Sequence, residues 1–226
     1  MESSSRVVEF FGFPGCGKTT LCNNLKAKMK AVSVGLWEDV KVQYLSLPFF
    51  EKLRYVPLGV LFDLMGLFFS TKKLPFRNRR IYWDFFKRMI FYSYACKNKV
   101  YDYVFVDHGF AQCLHSFFLG REEESRRPRA VKCMTRLFNK LKPYRIVYCD
   151  VTIDTAIQRI KTRNTPNHSR LDKVSDEAVL RSILEKQHVF FSDVIGLFGG
   201  VKSGIIFELD ANQEQSVVAD DTLNIL

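Results

Sequence analysis

Val7-Val8-Glu9-Phe10-Phe11-Gly12-Phe13-Pro14-Gly15-Cys16-Gly17-Lys18-Thr19-Thr20 passes from a β-branched and aromatic run into a glycine loop. Gly12 to Thr19 fits G-x-x-x-x-G-K-[ST] at every position. Beyond it, Leu21, Leu25, Met29 and Val32 recur at helical spacing, with Asn and Lys between them. The reading is strand, glycine loop, helix. In that context the glycines let successive backbone N–H groups turn inward and hold phosphate oxygens at a helix N-terminus, where the helix dipole also favours negative charge. The expected nucleotide contacts are Gly12, Pro14, Gly15, Cys16, Gly17, Lys18, Thr19 and Thr20. Lys18 would reach the β- and γ-phosphates and act catalytically, and the Thr19 hydroxyl would ligate Mg²⁺. A glycine turn with an incidental lysine is the plainer alternative. Cys16, beside the loop amides, admits either a lowered thiol pKa with susceptibility to oxidation or the simple role of a small residue that fits.

The pattern extends outward from this unit. Val32 to Leu36 reads as a short second strand, and residues 47–98 as mostly helical, punctuated by Pro48, Pro57 and Pro75. Tyr103 to Asp107, Arg145 to Asp150 and Ile205 to Asp210 are nearly continuous apolar runs, each ending in an acid. Asp154 reads as the N-cap of a helix to about Arg163, and a further helix spans Ser175 to about Phe198. Strands of this kind alternating with helices predict a parallel sheet covered on both faces. The expected fold is therefore α/β.

Two further groups carry chemistry. Asp107 stands at the C-terminal end of a buried strand, where ligands bind in open α/β sheets. It would hold Mg²⁺ through water or orient the attacking group; a strand-end or capping acid is the alternative. His108 follows it, where many ATP-hydrolysing motors place Glu, which argues against a dedicated ATPase. Arg159 and Arg163 lie four apart on one helix face, and Arg170 follows across a polar loop containing Thr165, Pro166 and Asn167. A basic flap over residues 162–172 would close on triphosphate, with Arg163 stabilising charge on the transferring group. A solvated basic helix end is the alternative. GTP is not expected as the nucleotide: Asn98-Lys99-Val100-Tyr101-Asp102 is one residue out of register for N-K-x-D, and Asp63-Leu64-Met65-Gly66 lies within an apolar segment.

The order of glycine loop, helical insert, strand ending in Asp107, strand ending in Asp150, basic flap and Leu209-Asp210-Ala211 resembles the nucleoside monophosphate kinase group, thymidylate kinase in particular. The resemblance implies one P-loop kinase domain over residues 1–226, a three-layer fold with a central parallel sheet of about five strands and with 47–98 as a helical insert on the acceptor side. It implies ATP and Mg²⁺ as cofactors and a small-molecule acceptor, a nucleotide or nucleoside. It also implies that Arg159, Arg163 and Arg170 bind the triphosphate and that Asp210-Ala211-Asn212 lie near adenine. The sequence departs from the family at His108, which stands where the group has an acceptor-binding Arg. Other readings are an ATP-binding switch with little transfer activity and a kinase of a non-nucleotide small molecule. In the insert, Arg77, Arg79, Arg80, Lys87 and Arg88 interleave with Phe76, Tyr82, Trp83, Phe85 and Phe86. They read as an acceptor wall or as an amphipathic helix with core aromatics; a membrane-surface helix is a third possibility.

Composition bounds the remainder. The chain has 226 residues, 47% hydrophobic and 14% aromatic, enough to build a core without staples. Its net charge of +10 is uneven: residues 203–226 hold five acids and no Lys or Arg, so residues 1–202 carry +15. Such a surplus calls for an anionic partner. Nucleic acid is not the expected one, since no reader motif is visible. The six cysteines form no C-x-x-C pair, so neither a disulfide framework nor a zinc ribbon is expected. His108, Cys113 and His115 lack a fourth ligand at suitable spacing. Val56 to Phe69 is interrupted by Asp63 and falls short of the ~18 residues of a spanning helix. The N-terminal run does not read as a signal peptide, so a cytoplasmic address is expected, and the reading admits a homodimer.

Overall fold

The computed structural model describes residues 5–55, 79–97, 101–107, 109, 111–112, 144–163, 170–197 and 206–226. In chain order these form β1 (Arg6–Phe11), α1 (Lys18–Lys28), β2 (Val34–Leu36), α2 (Trp37–Ser46), α3 (Phe49–Leu53), α4 (Arg79–Lys97), β3 (Tyr103–Val106) and β4 (Arg145–Asp150). They continue with α5 (Ile153–Lys161), a 3₁₀ turn (Arg170–Lys173), α6 (Glu177–Leu197), β5 (Ile206–Asp210) and α7 (Gln215–Ile225). The strands make one five-stranded parallel sheet in the order β2-β3-β1-β4-β5. β3 is buried at all four residues, which explains why its sequence does not alternate. β1 is central, and the glycine loop leaves from its C-terminal end.

The described residues fall into two compact units. The first is drawn from Met1–Glu9 and Ala31–Tyr144, the second from Phe10–Lys30 and Arg145–Leu226. In the first, β3 takes β1 and β2 as neighbours, with Val7 opposite Val104 and Gly35 also opposite Val104. Its core is aromatic. The Phe91 ring meets Tyr44 edge-on at 5.0 Å and Trp37 at 5.9 Å, and Tyr94 meets Tyr55 at 4.9 Å. Each such pair adds ~0.5–1.5 kcal/mol beyond its area burial, so these contacts fix α4 against α2. Phe91, Tyr92 and Tyr94 are thus core residues of the insert's last helix. Among the cations named above, Lys87 is exposed and Arg88 half-buried; residues 56–78 and the side chains of 79–85 lie outside the described residues. Asp102, the acid of the N-K-x-D-like string, accepts the Ser33 N–H at 2.9 Å and so anchors the start of β2.

In the second unit, β4 and β5 pair in register from Ile146 opposite Ile206 to Asp150 opposite Asp210. Phe11 packs on Tyr148 at 5.1 Å and on Phe191 of α6 at 5.7 Å, and Phe13 reaches the same Phe191 at 6.0 Å. Leu21 and Leu25 bury one face of α1 as their spacing predicts, but the stripe does not run on: the helix ends at Lys28, Met29 caps it and Val32 is exposed. Lys28 closes α1 onto α7 through Asp220 at 2.5 Å and the Ser216 carbonyl at 3.1 Å. The acidic last residues are therefore β5 and α7. The N-cap of α5 is Thr152, whose hydroxyl accepts the Thr155 N–H at 3.3 Å, rather than Asp154. Asp154 sits inside the first turn and accepts from Arg181 of α6 at 2.6 Å. Asp176 caps α6, accepting the Ala178 N–H at 2.8 Å. None of the described helices is long and apolar enough to cross a membrane.

Candidate active site

The glycine loop is built as its sequence requires. Gly12 has φ 148°, a backbone that side chains with a Cβ rarely adopt, and a Cβ there would meet the Cys149 carbonyl oxygen at 2.6 Å. Gly17, in the left-handed region at φ 92°, turns the chain into α1, whose first turn carries no acid. The Lys18 side chain is buried and folds back over the loop that precedes it. Its ammonium donates to the carbonyls of Gly12 at 2.9 Å and Phe13 at 2.8 Å and to Cys16 Sγ at 3.3 Å. All three ammonium donors thus point into the loop's concavity. Thr19 and Thr20 are exposed on the first turn of α1.

A second element joins this loop. Arg159 of α5 donates to the carbonyls of Ala211 at 2.8 Å, Cys16 at 3.5 Å and Gln213 at 3.4 Å. The turn after β5 is further held by Ala211 N–H on the Asp150 carbonyl at 2.7 Å and by Thr152 N–H on Asn212 Oδ1 at 2.8 Å. Asp210 accepts from the backbone and side-chain nitrogens of Asn212, which hold its carboxyl below the ordinary carboxylate value. Arg163 lies 3.4 Å from Asp172, both partly buried, so the two edges of the flap segment are tied together. Residues 164–169 and the Arg170 side chain lie outside the described residues.

Asp107 directly follows β3, half-buried, in the first unit. Below its loop lies a residue that the motif reading overlooks. Glu9 of β1 is 0% exposed, and its Oε1 accepts the Ala111 N–H at 2.5 Å. A Cβ on Gly109 would fall 2.3 Å from the Glu9 carboxyl carbon, so the carboxyl packs directly under this glycine and would have to shift for any larger residue. The signal was legible: an acid within an apolar central strand must have built-in partners. Beside it, burial and then the Glu9 charge push the Tyr92 phenol well up. His108, Cys113 and His115 lie outside the described residues, and among the described ones no three His, Cys, Asp or Glu side chains cluster as a metal site.

No protein-family model matches the chain, and no curated protein matches it in sequence. Solved structures do match. Deoxyadenosine kinase from M. mycoides with bound dATP is similar over 96% of this chain and 97% of that one, with TM-score 0.53 and 16% identity. The same enzyme with bound dCTP gives 97%, 100%, 0.51 and 17%. Shikimate kinase from Acinetobacter baumannii in complex with shikimate gives 98%, 92%, 0.50 and 12%. The fold is that of the P-loop kinases. Within this P-loop kinase fold, Gly12, Cys16, Lys18 and Arg159 form one connected group, together with the turn at residues 211–213. Arg163 is engaged by Asp172 instead, and Asp107 and Glu9 belong to the other unit.

Proposed function

We propose that this chain is a P-loop phosphotransferase that moves the γ-phosphoryl group of ATP to a small acceptor, a nucleotide or nucleoside as in the thymidylate kinase-like group, within a single kinase domain. The observation that carries the reading is the loop itself: Lys18 Nζ lies 2.9 and 2.8 Å from the Gly12 and Phe13 carbonyls at the start of an acid-free helix turn. On nucleotide binding, Lys18 exchanges those carbonyls for phosphate oxygens, and the amides from Gly15 to Thr20 supply the remaining donors. Mg²⁺ suits the residues present. It needs few protein ligands, and the exposed Thr19 hydroxyl would be one of them. When bound, the ion neutralises charge between phosphate oxygens. Arg163, released from Asp172, would add positive charge beside the transferring group, and Arg170 would join it. Asp107 orients the acceptor, and with a hydroxyl acceptor it also takes the proton; a phosphate acceptor is already ionic and needs no base.

The test is ADP formation across nucleosides, nucleoside monophosphates and hydroxyl acids, with MgATP and with Lys18→Ala as control. Turnover that depends on one acceptor class and is lost in the variant supports the reading. Nucleotide binding without turnover on any acceptor would favour a nucleotide-dependent switch instead.

A further inference from the structure

The kinase reading gives no use to the sulfur chemistry beneath the phosphate loop. Cys16 and Cys149 are both reduced and 1% exposed, one in the loop and the other in β4. The two residues meet around Gly12, and each thiol acts on the ionisation of the other. The site is cramped by design. A Cβ on Gly12 would lie 3.1 Å from Cys16 Sγ and 2.6 Å from the Cys149 carbonyl oxygen, so glycine at position 12 is what lets the loop sulfur approach β4. The Lys18 ammonium stands 3.3 Å from Cys16 Sγ.

From this geometry we infer that Cys16 and Cys149 are a redox pair, whose disulfide ties the phosphate loop to β4 and shuts the nucleotide site. The inference rests on the loop being that site.

The electrostatics agree. Burial alone would push the Cys16 thiol up, but the Cys149 thiol and the Lys18 charge outweigh it and bring the thiol down to about 6. Cys149 is pushed well up, first by the Cys16 thiol and then by burial. The pair therefore divides into a nucleophile and a resolving thiol. With a hydroperoxide as oxidant, the Cys16 thiolate attacks the peroxide oxygen and the O–O bond breaks. This gives a sulfenic acid and, after proton uptake, water. Cys149 sulfur then attacks the Cys16 sulfur, expels the hydroxyl as a second water and loses its own proton. Two thiols are oxidised to one disulfide, and one hydrogen peroxide is reduced to two waters.

An S–S bond is ~2.0 Å long, much shorter than the approach of two sulfurs that are not bonded. Its closure draws Cys16 and its amide toward β4, removes the sulfur anion that Lys18 contacts and fixes the loop amides off their phosphate positions.

The test uses the full chain with hydrogen peroxide. Tryptic mapping should find residues 7–18 linked to residues 146–159, lighter by two hydrogens, in the wild type and in Cys22→Ser but not in Cys149→Ser. MgATP binding should weaken by about tenfold or more in the oxidised wild type and return with dithiothreitol. A Cys16 that partners Cys22, that passes on to sulfinic acid without a link, or that does not react overturns the inference. So does a linked protein that binds MgATP as the reduced form does. Failure of the reduced wild type to bind MgATP would instead sink the kinase reading.

Discussion

The Arg159 guanidinium donates to the Ala211 carbonyl at 2.8 Å and so joins α5 to the turn that follows β5. The same guanidinium reaches the Cys16 carbonyl at 3.5 Å. A residue that the sequence places among triphosphate-binding flap arginines thus has its donors on three backbone carbonyls of the loop and the turn. It is a strut between the glycine loop and the turn at residues 211–213.

Replacing Arg159 should therefore cost stability as well as affinity. Loss of charge-assisted hydrogen bonds to part-buried carbonyls is worth ~1.5–3 kcal/mol. Urea denaturation of Arg159→Ala should show a loss of that size. Arg159→Lys should recover only part of it, because one ammonium cannot reproduce the planar fork. A residue acting only on phosphate would leave the denaturation midpoint unmoved.

Glu9 gives a second prediction. Truncation to Ala leaves the buried Ala111 N–H without its carboxylate acceptor, which costs ~1–3 kcal/mol. It also opens a void under Gly109, two residues from Asp107. Glu9→Ala should lower kcat more than it raises KM for ATP, because the disturbed loop carries Asp107 and not Lys18. Glu9→Gln keeps an acceptor oxygen of nearly the same shape and should restore most of both quantities. Equal losses of kcat and of ATP affinity would contradict this division.

The Cys16 thiol supplies a pH dependence. Lys18 acts on it from α1, and Cys149 and Tyr148 from β4, while Arg159 of α5 meets the Cys16 carbonyl and not the sulfur. Burial raises its pKa, and the Cys149 thiol together with Lys18 overcomes that, leaving it at about 6. A free thiol titrates at ~8.5, so the folded state releases this proton first. The resulting stabilisation is complete above the unfolded value and is lost as pH falls toward 6. Reduced wild type should gain stability between about pH 6 and ~8.5 relative to Cys16→Ser, measured by denaturant midpoints under reductant. Parallel pH profiles for the two proteins would contradict it.

The sequence made much of the fold legible because the inner strands β1, β3 and β4 are buried on both faces along most of their length. Runs such as Tyr103-Val104-Phe105-Val106 carry a signal that needs no alternation. The glycine loop was legible because G-x-x-x-x-G-K-[ST] is a local geometric demand, and Gly12 and Gly17 meet it with positive φ. Capping at α5 was misread because Thr152 and Asp154 are both good N-caps. What separates them is the chain direction set by β4, and Thr152 is the residue still extended, at ψ 148°. The Arg159 contacts, the Cys16–Cys149 pair and the Glu9–Ala111 bond were beyond reach for a different reason. Each joins residues more than 50 positions apart, and only the sheet order brings them together.

The most direct measurement is the affinity for MgATP, by titration calorimetry under reductant, of the wild type and of Lys18→Ala. Among the described residues, the hydrogen bonds of the Lys18 ammonium all go to its own loop, so the variant should fold, and its denaturation profile is recorded alongside the titration. The account predicts saturable binding to the wild type and a loss of about a hundredfold or more in the variant, the weight of a buried ammonium on the terminal phosphates. Wild-type affinity retained by a folded Lys18→Ala would contradict the reading of this loop as a nucleotide site.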